Sequence, residues 1–168
     1  MNHDAINNPA HWIREHGPRL ILYARQWVKN VSDAEDAVQE AFVNFWPKRS
    51  HAKQPLAYLY TCVRNAAMNM NRKSQSDLRK IENAGQTRPM FEVPTNTLEQ
   101  IESTQMLTQA LDQLTSEQKE VVVLRIWSNL PFSDIAEIIQ TPEPTARSRY
   151  RYALSNLQSL MQDEVDYE

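Results

Sequence analysis

Glycine occurs only twice in 168 residues, as Gly17 and Gly85. A chain so poor in the residue that takes left-handed backbone freely has few places for the tight turns that hairpins and barrels require. Strand-like alternation of apolar and polar residues is hard to find, whereas apolar residues recur three and four positions apart over long stretches. Both observations predict an all-α protein, and the length predicts one or two domains.

The helical period divides the chain into two blocks. In the first, residues 9–75, Leu20, Tyr23, Ala24, Trp27 and Val28 fall on one helical face, and Asn30-Val31 breaks the helix. Ser32 to Glu35 reads as a capping box that starts the next helix. Val38, Ala41, Phe42, Phe45 and Trp46 form its apolar stripe, and Pro47 ends it. A basic polar loop runs from Lys48 to Gln54. Pro55 then opens a third helix, with Leu56, Leu59, Tyr60, Val63, Ala67 and Met70 facing inward. Over residues 76–96 the pattern dissolves, and Asn83-Ala-Gly-Gln, Arg88-Pro and Val93-Pro-Thr-Asn predict a flexible linker.

The second block spans residues 97–161 and ends in an acidic tail, 162–168. Leu98, Ile101, Met106, Leu107, Ala110, Leu111 and Leu114 mark one amphipathic helix. Thr115 to Gln118 is a second capping box, opening a helix through Trp127. A short helix follows, which Ser133 can cap and in which Ile135, Ala136 and Ile139 point to the core. After a break at Gln140, Thr141 can cap the last helix, with Pro142 at its first position and Pro144 still within its first turn. Ala146, Tyr150, Ala153, Leu157 and Leu160 face inward; Thr145, Arg147, Ser148, Arg149 and Arg151 face outward. Short helix, turn and arginine-bearing helix make a helix-turn-helix, the unit that lays its last helix in a DNA major groove. Arginine is the side chain best shaped for guanine edges and phosphates. The plainer alternative is an amphipathic helix with surface arginines.

Net charge is −3, so charge as a whole carries no signal for nucleic acid, but its distribution is uneven. Lys48 to Lys80 holds eight Lys/Arg against one acid, Asp77, while Asp33 to Glu40 holds four acids and no base. Such a split suits one face for a basic protein and another for nucleic acid, although solvated helix faces would look the same. Cys62, the single cysteine, stands among Leu59, Val63 and Ala66 and reads as a buried structural thiol. His3, His11, His16 and His51 have no metal or triad spacing and no phosphate loop is present, so neither an enzyme, a metal site nor a cofactor is expected. No apolar run approaches the roughly 18 residues of a membrane span, and the N-terminus does not read as a signal peptide. A cytoplasmic protein is the expectation.

Both blocks resemble a known family. The chain is similar to bacterial sigma factors of the extracytoplasmic-function group, the two-domain members of the sigma-70 family, over about Arg19 to Met161. In the first block the Asp-x-x-Gln-Glu core stands as Asp36, Gln39 and Glu40, followed by Phe42, Phe45 and Trp46. In the third helix, Asn65-x-x-x-Asn69-x-x-Arg72 parallels the family's melting segment. The usual tryptophan of that helix is Tyr58 here and the usual aspartate is Asn69. The glycines usual in the helix-turn-helix are Gln140 and Pro144, and the valine after the threonine is Ala146.

The resemblance implies a dissociable specificity subunit of RNA polymerase that recognises promoters and aids their melting. Asp36, Gln39 and Glu40, with Phe42 or Trp46 beside them, would bind the clamp helices of the polymerase β′ subunit. The alternative for Asp33, Glu35 and Asp36 is that they only favour the helix dipole. Arg64, Arg72 and Lys73 would meet phosphates of the minus-ten element and Asn65 and Asn69 its unpaired bases, with Lys48, Arg49 and Lys53 walling a pocket for a flipped base. Tyr60 reads as core; Tyr58 stays open between stacking and core. Thr145, Arg147, Ser148, Arg149 and Arg151 would bind the minus-thirty-five element. Core RNA polymerase and promoter DNA are the implied partners, with an anti-sigma factor as a further one. Two rivals differ in class: a helix-turn-helix regulator whose first block senses a ligand or dimerises, and a sigma-like decoy that binds polymerase or an anti-sigma factor without initiating.

Overall fold

The computed structural model describes residues 7–78 and 107–165, and every element among them is helical. The chain divides into two compact units, Met1–Arg88 and Pro89–Glu168.

Among its described residues the first unit has three α-helices, α1 (Pro9–Ala24), α2 (Val31–Phe45) and α3 (Pro55–Leu78). Asn8 starts α1, its Oδ1 accepting from the Ala10 N–H at 3.0 Å, with Pro9 at a position where its missing N–H costs nothing. The helix continues through Pro18 and stops at Ala24, so Trp27 and Val28 lie beyond it in a turn. Ser32 does not cap α2. Asn30 does, two residues earlier: its Oδ1 accepts from the Asp33 N–H at 2.7 Å, and its Nδ2 donates to the Asp33 carboxylate at 3.0 Å. Asn30-x-x-Asp33 thus caps the helix as the expected box would, but its return bond runs between the two side chains and not to the cap backbone, and the helix begins at Val31.

Pro47 does end α2, but the chain does not then run on as a plain loop. Trp46–His51 is a 3₁₀ helix. Arg49 holds it, donating to the Trp46 carbonyl and, at 3.2 Å, to Asn7, with its guanidinium stacked 3.8 Å above the Trp46 ring. The core of the unit is aromatic. Phe45, fully buried, has Trp12, Tyr58, Phe42 and Trp46 around it at ring separations of 5.2, 5.9, 6.2 and 6.4 Å. Tyr23 packs edge-on against Tyr60 at 5.3 Å, and Leu20, Leu59 and Val63 complete the layer. Of the residues expected inward on α3, Leu56 and Met70 are half-buried and the rest fully buried, joined by Ala57 and Ala66.

In the second unit, residues 107–112 are the described part of a helix, α4. Leu98, Ile101 and Met106 of the expected helix lie outside the described residues. Thr115 opens α5 (Ser116–Val122) with the predicted capping box. Its hydroxyl accepts from the Gln118 N–H at 3.2 Å, and the Gln118 side chain takes the Thr115 N–H at 3.4 Å. The helix widens to a π turn over Val123–Trp127, closed by the Ser128 N–H on the Val123 carbonyl at 3.1 Å. Val121 to Leu124 are all fully buried, so this segment is enclosed on every side.

Helix α6 (Phe132–Ile139) and helix α7 (Glu143–Val165) form the helix-turn-helix, and neither expected hydroxyl caps them. Pro131 precedes α6, its carbonyl accepting from Asp134 and Ile135, and Ser133 stands exposed inside the first turn. At α7 the carbonyl of Pro142 takes the N–H groups of Thr145 (3.0 Å) and Ala146 (3.2 Å), and the Thr141 hydroxyl is buried without a hydrogen-bond partner. Between the helices Gln140 takes left-handed backbone (φ 55°, ψ 48°), and the Thr141 N–H reaches back to the Ala136 carbonyl at 3.0 Å. That is a Schellman turn with glutamine where glycine fits without strain. Gln140→Gly is therefore expected to stabilise this unit by about 1 kcal/mol, seen as a rise of several degrees in its thermal midpoint. An unchanged or lower midpoint would show that the Gln140 side chain offsets its backbone cost.

Two boundaries move. Residues 76–78, expected in the linker, are the last turn of α3, and residues 162–165, expected in the tail, continue α7. The rest of the expected linker and tail lies outside the described residues.

Candidate functional site

On α2 the solvent-facing residues gather into one face. Asp36, Gln39 and Glu40 are exposed, and Val43, one turn beyond them, is 74% exposed. At offsets of three, four and seven residues these four share one side of the helix. Phe42 points the other way, 8% exposed, with its ring against Phe45. Trp46 is half-exposed and covered by Arg49. Of the two aromatics expected beside the acidic face, Phe42 therefore lies in the core. The apolar residue on that face is Val43, which sequence reasoning missed, although its offset of seven from Asp36 would have found it. The dipole explanation reaches only Asp33, the one acid in the first turn and already bonded to Asn30. Asp36 and Glu40 lie beyond that range.

Helix α3 carries the second group. Tyr58, Asn65, Asn69 and Arg72 lie at offsets that keep them in one stripe, with Lys73 at its edge. Asn65, Asn69, Arg72 and Lys73 are exposed, and Asn69 Oδ1 accepts from Arg72 at 3.0 Å. Arg64 lies to one side, its guanidinium 5.9 Å from the Trp27 ring. Tyr58 is half-buried; Tyr60 is 1% exposed and belongs to the core. Cys62 is half-buried rather than buried. Burial pushes its thiol up, against a hydrogen bond with Tyr58 and the charge of Lys48, which both lower it. A raised thiol does not make a nucleophile. Lys48 and Lys53 are exposed, whereas Arg49 is bound to Trp46 and Asn7 and serves the 3₁₀ turn.

In the second unit Arg147 and Arg151 are exposed on α7, with Thr145, Ser148 and Arg149 half-exposed beside them. Ala146, Ala153 and Leu157 are buried, while Tyr150 and Leu160 are half-buried. Phe132, at the start of α6, meets the Tyr150 ring at 5.4 Å and ties the two helices together. Glu143 pairs with Arg147 across one turn. Among the described residues no group of three His, Cys, Asp or Glu is placed to hold a metal ion. No helix is long and apolar enough to cross a membrane, also among the described residues.

Two family models match: Sigma-70 region 2 over residues 12–76, and Sigma-70, region 4 over residues 104–157. Together they take in well over half of the chain. The chain belongs to the sigma-70 family. Only residues 77–103 separate the two regions, too few for a third domain of similar size between them, and this sigma factor is of the extracytoplasmic-function type. Its function is that of a sigma factor in transcription initiation. α1 to α3 are region 2; α4 to α7 fall in region 4.

Solved structures agree on the fold. The sigma factor RpoE of Bartonella quintana, in complex with the anti-sigma factor NepR, superposes with a TM-score of 0.72 at 23% identity, covering 91% of this chain and 96% of that one. CnrH in complex with the cytosolic domain of CnrY superposes at 0.61 with 18% identity, covering 95% and 94%. No curated protein matches this sigma factor by sequence.

Proposed function

We propose that this sigma factor docks on core RNA polymerase through the outer face of α2 and reads a promoter at two places. Asp36, Gln39 and Glu40 bind the clamp helices of the β′ subunit, with Val43 as an apolar contact at the end of the row. The observation that carries this reading is the composition of that face, two carboxylates and an amide followed by one exposed valine. An acidic face with a small apolar contact suits a basic partner surface, charge steering the encounter and desolvation retaining it.

The minus-ten element meets α3 and the turn before it. Asn65 and Asn69 offer amides to unpaired base edges, Arg72 and Lys73 neutralise phosphates, and Lys48 and Lys53 line the approach. Arg64 borders the same surface. Tyr58 is half-exposed on the stripe and offers a ring edge for stacking. Arg49 is left out of this set, because its Nη1 and Nη2 are bound to the Trp46 carbonyl and to Asn7 and its guanidinium is stacked on Trp46. The minus-thirty-five element receives α7, with Arg147, Arg149 and Arg151 divided between phosphates and base edges and Thr145 and Ser148 beside them. The RpoE and CnrH structures each hold a bound partner, in one case an anti-sigma factor, and a partner of that kind is inferred here too.

Arg147→Ala is expected to weaken holoenzyme binding to the upstream element by about 1–3 kcal/mol where it reads a base, with promoter strength falling accordingly. Filter binding at several salt concentrations checks this. Unchanged binding at every concentration would remove Arg147 from the interface.

A further inference from the structure

Arg147 is not a free cation. Its Nε (3.1 Å) and Nη2 both donate to one carboxylate oxygen of Glu143, one turn earlier on α7. Its guanidinium carbon lies 4.7 Å from the centroid of the Phe132 ring. The ring beneath it is itself fixed: Arg125 lies 4.8 Å from the same centroid while donating to the Leu130 carbonyl at 2.9 Å, and Tyr150 abuts the ring edge. Arg147 therefore has a platform on one side and an acceptor on another.

An exposed ion pair of this kind contributes little to stability. Its effect is on direction and charge. A guanidinium has two pairs of parallel donors, one side-on (Nε with Nη2) and one end-on (Nη1 with Nη2). Glu143 occupies the side-on pair. The end-on pair stays available and matches the O6 and N7 acceptors that guanine presents in the major groove. The carboxylate also cancels the charge that would otherwise draw Arg147 to phosphate, and a neutralised arginine gains little from counterion release.

We propose that Glu143 is a positioning residue for promoter specificity: it aims Arg147 end-on at a guanine of the upstream element and withholds its charge from the DNA backbone. This rests on the reading of α7 as the helix that binds that element.

The test uses holoenzyme assembled from the full chain and core RNA polymerase. The probes are duplexes that the wild-type holoenzyme selects from a pool randomised over the upstream element, and the same duplexes with each guanine replaced by adenine. Arg147→Ala is expected to relax discrimination at one guanine by about tenfold. Glu143→Ala should relax the same guanine, with no further loss in the double variant. Glu143→Gln keeps an acceptor for Nε and Nη2 without the charge, and should restore most of the discrimination. Both Glu143 variants should steepen the fall of log affinity with log salt by about one unit of slope, which a purely structural role would not do. Wild-type discrimination in Glu143→Ala, or a loss that adds to that of Arg147→Ala, overturns the proposal and leaves the reading of α7 intact. Wild-type discrimination in Arg147→Ala at every position overturns that reading and the proposal with it.

Discussion

Reversing two charges, Asp36→Lys with Glu40→Lys, is expected to weaken binding of this sigma factor to core RNA polymerase by about 100-fold or more. Losing one partner of a desolvated charge pair costs about 2–5 kcal/mol, and reversal adds repulsion. Both carboxylates are exposed and one helical turn apart, so the fold has no stake in them. Glu15→Lys makes half that change in net charge from an exposed position on α1, and it should cost little. Val43→Asp should also weaken binding, because it puts a third carboxylate where the interface needs an apolar contact. Titrating labelled protein with core polymerase in the absence of DNA measures all three variants. Equal losses per unit of charge for Glu15→Lys and the double reversal would mean that net charge, and not this face, drives the association.

Phe45→Ala is expected to cost region 2 about 3–5 kcal/mol, the range for a buried phenylalanine whose site cannot collapse. The ring is fully buried and has four aromatic neighbours, contributed by α1, α2, α3 and the start of the 3₁₀ turn. No single rotamer change in its surroundings refills such a space. Small domains have only about 5–15 kcal/mol in total, so this loss brings region 2 close to unfolding at physiological temperature. Three of the four tryptophans of the chain, Trp12, Trp27 and Trp46, lie in this unit, so their fluorescence in a urea titration follows it directly. Val43→Ala, two residues away but 74% exposed, should stay within about 0.5 kcal/mol of wild type. A shift under 1 kcal/mol for Phe45→Ala would mean that the aromatic layer relaxes to fill the gap.

Much of this arrangement was legible in the amino-acid sequence. Scarce glycine and the three-to-four spacing of apolar residues pointed to helices throughout, and the prolines at 47, 55 and 142 mark helix boundaries because proline removes a donor and fixes φ. The box at Thr115 and Gln118 formed as read, and Gln140 took the left-handed conformation that a turn lacking glycine demands. What could not be read were choices between local solutions of equal chemistry. Asn30 and Ser32 are both suited to cap a helix and both have an acid three residues on, and the helix starts from the first. Ser133 and Thr141 carry hydroxyls suited to capping, yet proline carbonyls start both helices of the helix-turn-helix. The candidate faces were legible as residue sets and less so as surfaces. Phe42 and Val43 are adjacent and about 100° apart around the helix; the apolar stripe already held Phe42, and the offset of seven from Asp36 could have put Val43 on the acidic face. Arg49 looked like one more cation in a basic loop, but the indole of Trp46 and the carbonyl behind it claim its guanidinium.

The most direct test of the central claim is run-off transcription with purified protein, sigma-free core RNA polymerase and a pool of genomic promoter fragments, read by sequencing the transcripts. The account predicts discrete start sites that share two upstream elements, spaced as minus-ten and minus-thirty-five elements are. Stable association with core polymerase that yields no transcript from any fragment would contradict it.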